Sequence, residues 1–279
     1  MDKVAVIIPA RYGSSRFPGK VLTPIQSRPL IQWVYEAAAR SSLVNRVVVA
    51  TDDTRIHEAV AGFGGEVVMT SERPRTGSDR CAEAARNMEE EIIINLQADE
   101  LLTGPEMLNE LTSMMTGDPA ILMGTLKREI ISPEELWDRN VVKVVTDNND
   151  DALYFSRSPI PYIRDSVFNP PISPFSKGGL RGIWSMGGFS VNEEGLPSKI
   201  FFKHLGIYAY RRDFLFRFNA LPTTRLEDLE KLEQLRAIES GFMIKVKETG
   251  YESYRIDAPE DLKYLEDKVL IHEQRKDPH

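Results

Sequence analysis

Cys81 is the single cysteine of the chain, which excludes an intramolecular disulfide and a zinc site built on cysteines. Long apolar runs are missing as well. Nothing approaches a membrane span, and the five apolar residues after Lys3 are too few for a signal-peptide core. The expected compartment is the cytoplasm. An excess of basic residues is also absent: the formal net charge is −7, which argues against a general binder of nucleic acid or acidic membrane. No Ser-His or Cys-His arrangement announces a nucleophilic enzyme. What remains is ordinary for a soluble globular protein, with 42% hydrophobic and 28% charged residues. A chain of 279 residues fits one large domain, or one domain with a small lobe.

The stretch from Val4 to Lys20, VAVIIPARYGSSRFPGK, is the most informative. Val4 to Ile8 is apolar and mostly β-branched, the pattern of a buried central strand, and Pro9 ends it. Arg11, Arg16 and Lys20 follow on a loop with Gly13, Ser14, Ser15 and Gly19. A loop leaving the carboxyl end of the first strand of an α/β sheet lies where such folds bind ligands. Three cations among small residues suit a polyphosphate; a solvated basic loop is the plainer alternative. The loop matches neither the G-x-x-x-x-G-K-[ST] nor the G-x-G-x-x-G fingerprint.

Short apolar strands then alternate with amphipathic helices. Helices are expected at Pro29–Ala39, Ile56–Phe63, Asp79–Met88 and Glu106–Met115, and strands at Arg46–Ala50, Glu66–Met69 and Ile92–Leu96. This alternation predicts an α/β fold with a mainly parallel sheet covered on both faces. After Ile121 the rhythm changes. Leu122–Glu129, Val141–Asp147 and Ala152–Ser156 read as strands with short links, hence a smaller antiparallel lobe within residues 121–215. Ser166 to Ser198 is rich in proline and glycine without periodicity and is expected to be a mobile or disordered insertion. Phe201–Tyr210 resumes as a strand. Thr224 and Glu227 form a capping box for a helix running to Gly241, with Leu226, Leu229, Leu232 and Leu235 as its buried stripe. Met243–Val246 and Tyr254–Ile256 are further strands, and Pro259 opens a last helix.

Several residues could carry chemistry. Asp99 closes the run IIINLQAD at the edge where the first loop emerges, and a carboxylate there can hold Mg²⁺ on phosphate oxygens. Asp257, in IDAPED, reads alone as a helix cap with Glu260. Thr76-Gly77-Ser78-Asp79-Arg80 reads alone as a turn with Ser78 as helix cap. His204 on its strand reads as a satisfied structural group, and the acids between Glu227 and Glu233 as a solvent-facing helix surface.

Taken together, these segments resemble one family. Pro9-Ala10-Arg11 through Pro18-Gly19-Lys20 looks like PAR-x-x-S-x-R-x-PGK, the nucleotide-binding loop of the sugar nucleotidyltransferases. In detail it resembles the cytidylyltransferases that activate the eight-carbon sugar acid Kdo. Thr76–Arg80 matches the family's S-G-T-[ED]-R, Gln97-Ala98-Asp99-Glu100-Leu101 its Q-G-D-x-P, and Tyr154–Arg157 its Y-F-S-R. His204–Tyr210 matches H-L-G-[IV]-Y-[AG]-Y, Leu232–Arg236 matches L-E-Q-L-R, and Ile256–Leu262 matches V-D-T-P-E-D-L. Two departures stand out: Ala98 replaces a glycine, which is strained if that position needs φ > 0, and Leu101 replaces a proline.

The resemblance implies a Rossmann-like nucleotidyltransferase fold and transfer of CMP from CTP to the anomeric hydroxyl of Kdo, with pyrophosphate released. It implies that Ala10, Arg11, Ser14, Arg16, Lys20, Thr76, Gly77, Arg80 and Gln97 bind nucleotide. It implies that Gln97, Arg157, His204, Tyr208, Glu233 and Gln234 bind the sugar acid. Asp99 and Asp257 would hold Mg²⁺ and, with Arg11 and Lys20, act in catalysis. A homodimer formed through the smaller lobe is implied too. Two alternatives stay open: the same reaction on the 8-amino analogue of Kdo, whose subgroup L-E-D-L-E-K-L-E-Q-L-R also resembles, and a non-catalytic nucleotide-binding homologue.

Overall fold

The computed structural model describes residues 2–13, 17–102, 104–164, 196–256 and 261. Ser14, Arg16, Asp257 and the 166–198 insertion up to residue 195 lie outside them.

β1 (Val4–Ala10) is buried along its whole length. Its neighbours are built by the expected alternation. After a short 3-10 turn at Lys20–Leu22 and the small hairpin of β2 (Pro24–Ile25) and β3 (Arg28–Pro29) come α1 (Leu30–Ala39), β4 (Arg46–Thr51), α2 (Thr54–Gly62), β5 (Val67–Met69), α3 (Gly77–Ala85) and β6 (Ile92–Asn95). β1 lies between β4 and β6, with β5 outside β4, and all three pairings are parallel. Side chains of β1 alternate between the two faces. Val4, Val6 and Ile8 join a core with α1 residues Leu30, Ile31 and Val34. Ala5 and Ile7 join the opposite core with Cys81 and Ala85 of α3. A strand covered on both faces needs an unbroken apolar run, which is what VAVII supplies. Each buried isoleucine contributes roughly 1.5–3 kcal/mol by leaving water.

The second half of the chain extends this sheet. It comprises β7 (Glu100–Leu102), α4 (Glu106–Gly117), β8 (Met123–Glu129), α5 (Pro133–Trp137), β9 (Lys143–Thr146), β10 (Ala152–Ser156), β11 (Phe202–Arg211), α6 (Arg212–Ala220), α7 (Arg225–Glu230), α8 (Leu235–Glu239), β12 (Lys245–Glu248) and β13 (Ser253–Arg255). Among the described residues nine strands share one sheet, and β11 is its pivot. One side of β11 pairs with β8. The other side forks: Tyr208–Arg211 pairs antiparallel with β6, while Lys203 pairs with Lys143 of β9. The antiparallel strands expected after Ile121 therefore continue the central sheet beyond the carboxyl end of β6.

The helix expected from Thr224 to Gly241 is instead two helices. Lys231 adopts a left-handed conformation, φ 55°, and ends α7. The break turns the leucine stripe apart: Leu232 and Leu235 are buried, but Leu229 is 68% exposed. Met243, expected at a strand start, is also exposed, and β12 begins at Lys245. Two helices the periodicity reading passed over are α5 and α6. The latter buries Phe214, Leu215 and Phe218, a helical spacing.

Candidate active site

Three segments distant in sequence meet at the carboxyl edge of β1 and β6. Lys20 pairs its ammonium with the Asp99 carboxylate and donates a second hydrogen bond to the Ile256 carbonyl at 2.8 Å. The Ile256 N–H in turn donates to the Asp99 carbonyl at 3.0 Å. This last bond extends the antiparallel pairing of β13 with β7, in which Arg255 faces Glu100 and Tyr254 faces Leu101. Leu101, at the position where the family motif has proline, is buried in the first core and anchors that ladder. Ala98 is not among the residues with positive φ, so alanine in place of glycine is unstrained there. Asp257, the next residue after Ile256, lies outside the described residues.

The first loop is closed by a glycine. Gly19 has φ 71°, its N–H donates to the Tyr12 carbonyl at 2.9 Å, and a Cβ on it would meet the Tyr12 ring at 3.0 Å. Only glycine suits that turn. Arg55 stacks on the same half-buried ring, its guanidinium 3.4 Å from the Tyr12 centroid. Arg11 is exposed beside the buried Ala10.

A cleft beside this loop is lined by Pro9, Ala10, Arg11, Pro74, Arg75, Thr76, Gly77, Arg80 and Gln97. Five residues expected to bind nucleotide thus share it with Arg11. Thr76 caps α3: its hydroxyl accepts from the Asp79 N–H at 3.1 Å, and the Asp79 carboxylate accepts from the Thr76 N–H at 3.1 Å. The cap is therefore Thr76 rather than Ser78, and Ser78 has another partner. Gln97 donates to the Asn95 side chain at 2.9 Å and lies over Gly77, where a Cβ would come within 2.8 Å of its amide nitrogen. Arg80 is buried, held by the Asp52 carboxylate at 2.8 Å and by the Thr70 hydroxyl.

His204 and Tyr208, expected to bind the sugar acid, lie on β11 at its fork. A two-residue shift of register between Leu205 and Tyr208 brings the His204 and Tyr208 rings together, 5.1 Å between centroids. The Thr125 hydroxyl lies within hydrogen-bond distance of the buried bulge carbonyls, Leu205 at 3.1 Å and Ile207 at 2.7 Å, and of His204 Nε2 at 3.0 Å. That hydroxyl has one proton. Donated to a carbonyl, it leaves Nε2 of His204 as the donor and Nδ1 free to accept. Burial lowers the His204 pKa to about 3, so the ring is neutral near pH 7. The Tyr208 hydroxyl is buried without a hydrogen-bond partner among the described residues. Glu233 accepts from the Ser78 hydroxyl at 2.6 Å, and burial raises its pKa. Gln234 is buried beside it in the turn between α7 and α8.

Arg157 is oriented differently from a free carboxylate receptor. Its guanidinium donates to the carbonyls of Glu230 at 2.7 Å and Arg139 at 2.9 Å, and its N–H donates to the Glu230 carboxylate at 3.0 Å. The Ser156 hydroxyl joins the same carboxylate at 2.7 Å. Sequence reasoning missed Glu230, Asp52 and Thr125 as supports of the site. The run Thr51-Asp52-Asp53 at a strand end was the available signal for Asp52. Among the described residues no group of three or more His, Cys, Asp or Glu side chains could hold a metal alone.

The chain matches the cytidylyltransferase family model over residues 5–249. It is 45% identical to the 3-deoxy-manno-octulosonate cytidylyltransferase of Trichlorobacter lovleyi, over 96% of this chain and 98% of the relative. The enzyme of the same name from Geobacter sulfurreducens is 47% identical over 95% and 99%. The solved structure of CMP:2-keto-3-deoxy-manno-octonic acid synthetase complexed with CTP is similar with a TM-score of 0.81 at 38% identity, covering 96% of this chain and 98% of that one. The chain belongs to the cytidylyltransferase family, in the company of the 3-deoxy-manno-octulosonate cytidylyltransferases.

Proposed function

We propose that the protein transfers CMP from CTP to the anomeric hydroxyl of Kdo, giving CMP-Kdo and pyrophosphate. The observation that carries this reading is the junction of Lys20, Asp99 and Ile256, which joins the first loop, the end of β6 and the segment entering Asp257. The cleft beside it takes the nucleotide, and the fork of β11 takes the sugar acid. The anomeric hydroxyl gives up its proton to solvent as its oxygen forms a bond to the α-phosphorus. The bond from that phosphorus to the bridging oxygen breaks, and its electron pair leaves on pyrophosphate.

Arg11, Arg16 and Lys20 neutralise charge on the triphosphate and on the leaving pyrophosphate. Ala10, Ser14, Thr76, Gly77, Arg80 and Gln97 orient the nucleotide. Neutral His204 offers an acceptor to a sugar hydroxyl, and Tyr208, Glu233 and Gln234 supply further polar contacts. Arg157 holds the α7–α8 turn that presents Glu233.

Magnesium is the proposed cofactor. It binds through one or two carboxylates plus substrate oxygens, and Asp99 at the strand edge, with Asp257 following Ile256, fits that donor set. When bound, it supplies Lewis-acid stabilisation of charge on the phosphate oxygens. We place the protein in the cytoplasm, serving lipopolysaccharide synthesis, as a homodimer paired through the antiparallel part of the sheet. Exposed Leu153 on β10 supports that face, and light scattering tests the pairing. Turnover with Kdo and with its 8-amino analogue, offered side by side, tests the acceptor. The reading expects Kdo to be preferred; preference for the amino sugar would overturn the choice.

A further inference from the structure

Ser78 lies in the first turn of α3 and is 1% exposed. Its hydroxyl reaches Glu233, 155 residues away in sequence, at 2.6 Å, and the Thr76 hydroxyl lies 3.0 Å from it. The turn that carries it is doubly anchored. Thr76 and Asp79 cap it reciprocally, and Asn219 donates to the Ser78 carbonyl at 2.9 Å. The same turn presents Thr76 and Gly77 to the nucleotide cleft. Glu233, in contrast, stands in the turn after α7, whose left-handed Lys231 gives it no helical support.

We infer that Ser78 is a positioning residue: it fixes the Glu233 carboxylate in the acceptor pocket and ties that pocket to the helix end that lines the nucleotide cleft. The inference rests on the acceptor role proposed above for Glu233. Its chemistry is that of a buried carboxylate held by neutral hydroxyls. Such donors favour the ionised form, which accepts hydrogen bonds from sugar hydroxyls. The groups facing Glu233 are Thr76 at the cap of α3, Ser78, Asp79 and Cys81 within α3, Arg236 from α8, and Tyr208 and Tyr210 from β11. Burial raises the carboxyl pKa, the hydroxyls of Ser78 and Thr76 and the Arg236 charge oppose that rise, and Asp79 adds to it. Loss of the Ser78 hydroxyl therefore raises it further.

The test is steady-state kinetics of Ser78→Ala and Ser78→Thr with CTP and Kdo, across pH, beside calorimetric CTP binding and thermal melting. Losing one charge-assisted hydrogen bond should raise KM for the sugar acid roughly tenfold. CTP affinity should stay within about twofold, and the acid limb of kcat/KM for the sugar should move to higher pH. Threonine, which keeps the hydroxyl, should restore both. Should the threonine variant fold poorly, Ser78→Ala in a Glu233→Gln background decides: the two effects should be non-additive. An unchanged sugar KM and acid limb in Ser78→Ala, or full additivity, would overturn the inference. Absence of turnover in the unmodified protein would instead overturn the acceptor reading itself.

Discussion

Lys20 and Asp99, 79 residues apart, form an ion pair that links the loop after β1 to the strand end after β6. Both side chains are largely buried, at 13% and 15% exposure. The pair sets the carboxylate at the sheet edge and holds a cation beside it. Lys20→Met removes the countercharge and leaves Asp99 uncompensated. Turnover should fall by about 10²-fold or more, as for loss of a preorganised charge at a reacting phosphate, and KM for CTP should rise. Initial rates at saturating and limiting CTP measure both. A variant with wild-type kinetics would remove Lys20 from the account.

Gly19 is held in a turn that no side chain fits. Its φ of 71° is unfavourable to L-residues, and the Tyr12 ring stands 3.0 Å from the site of a Cβ. Gly19→Ala should destabilise the fold by roughly 1–2 kcal/mol, read from the midpoint of urea unfolding. CTP affinity should weaken as well, because the turn sets the loop. Unchanged stability would mean that the loop relaxes without cost.

Asp52 positions Arg80. Their ion pair is 2.8 Å long, and Arg80 is 5% exposed in its side chain. Asp52→Asn leaves a buried guanidinium without its countercharge, which costs about 3–5 kcal/mol for a fully buried pair and less at Asp52, 22% exposed. CTP binding by calorimetry should weaken with it. A variant of full stability and full affinity would contradict the arrangement.

His204 gives a pH signature. Its pKa falls from 6.5 to about 3 in the folded chain, through burial. Between those values the unfolded chain binds more protons than the folded one, so stability rises with pH across this window. The contribution is complete above about pH 6.5, the unfolded value, and is lost as pH falls toward 3. His204→Gln should flatten that part of the melting-temperature profile. In the unmodified enzyme no kinetic inflection near the usual histidine pKa should trace to His204. An imidazole resonance of His204 titrating near pH 6.5 by NMR would contradict this.

The parallel half of the fold was legible because each buried strand carries its own signal. VAVII, RVVVA and IIINL are short β-branched runs, and α1 repeats its apolar residues at helical spacing. The fork at β11 was not legible. It depends on which partner each half of one strand finds, and register across distant segments leaves no local trace. The helix break at Lys231 was hidden for a related reason. Lysine is a good helix former, and its left-handed conformation is imposed by packing: Leu232 and Leu235 bury in one core while Arg236 pairs with Glu227 at 2.8 Å. At the site, motif residues such as Gln97 and His204 could be named from the sequence. Two of their supports, Thr125 and Glu230, could not, since each is an ordinary polar residue whose partner lies far along the chain.

The most direct measurement is pyrophosphate release from CTP and Mg²⁺ with and without Kdo. The account predicts release that needs all three components, is lost when magnesium is chelated, and is abolished in Asp99→Asn while CTP still binds. Binding of CTP with no release on addition of Kdo would contradict it.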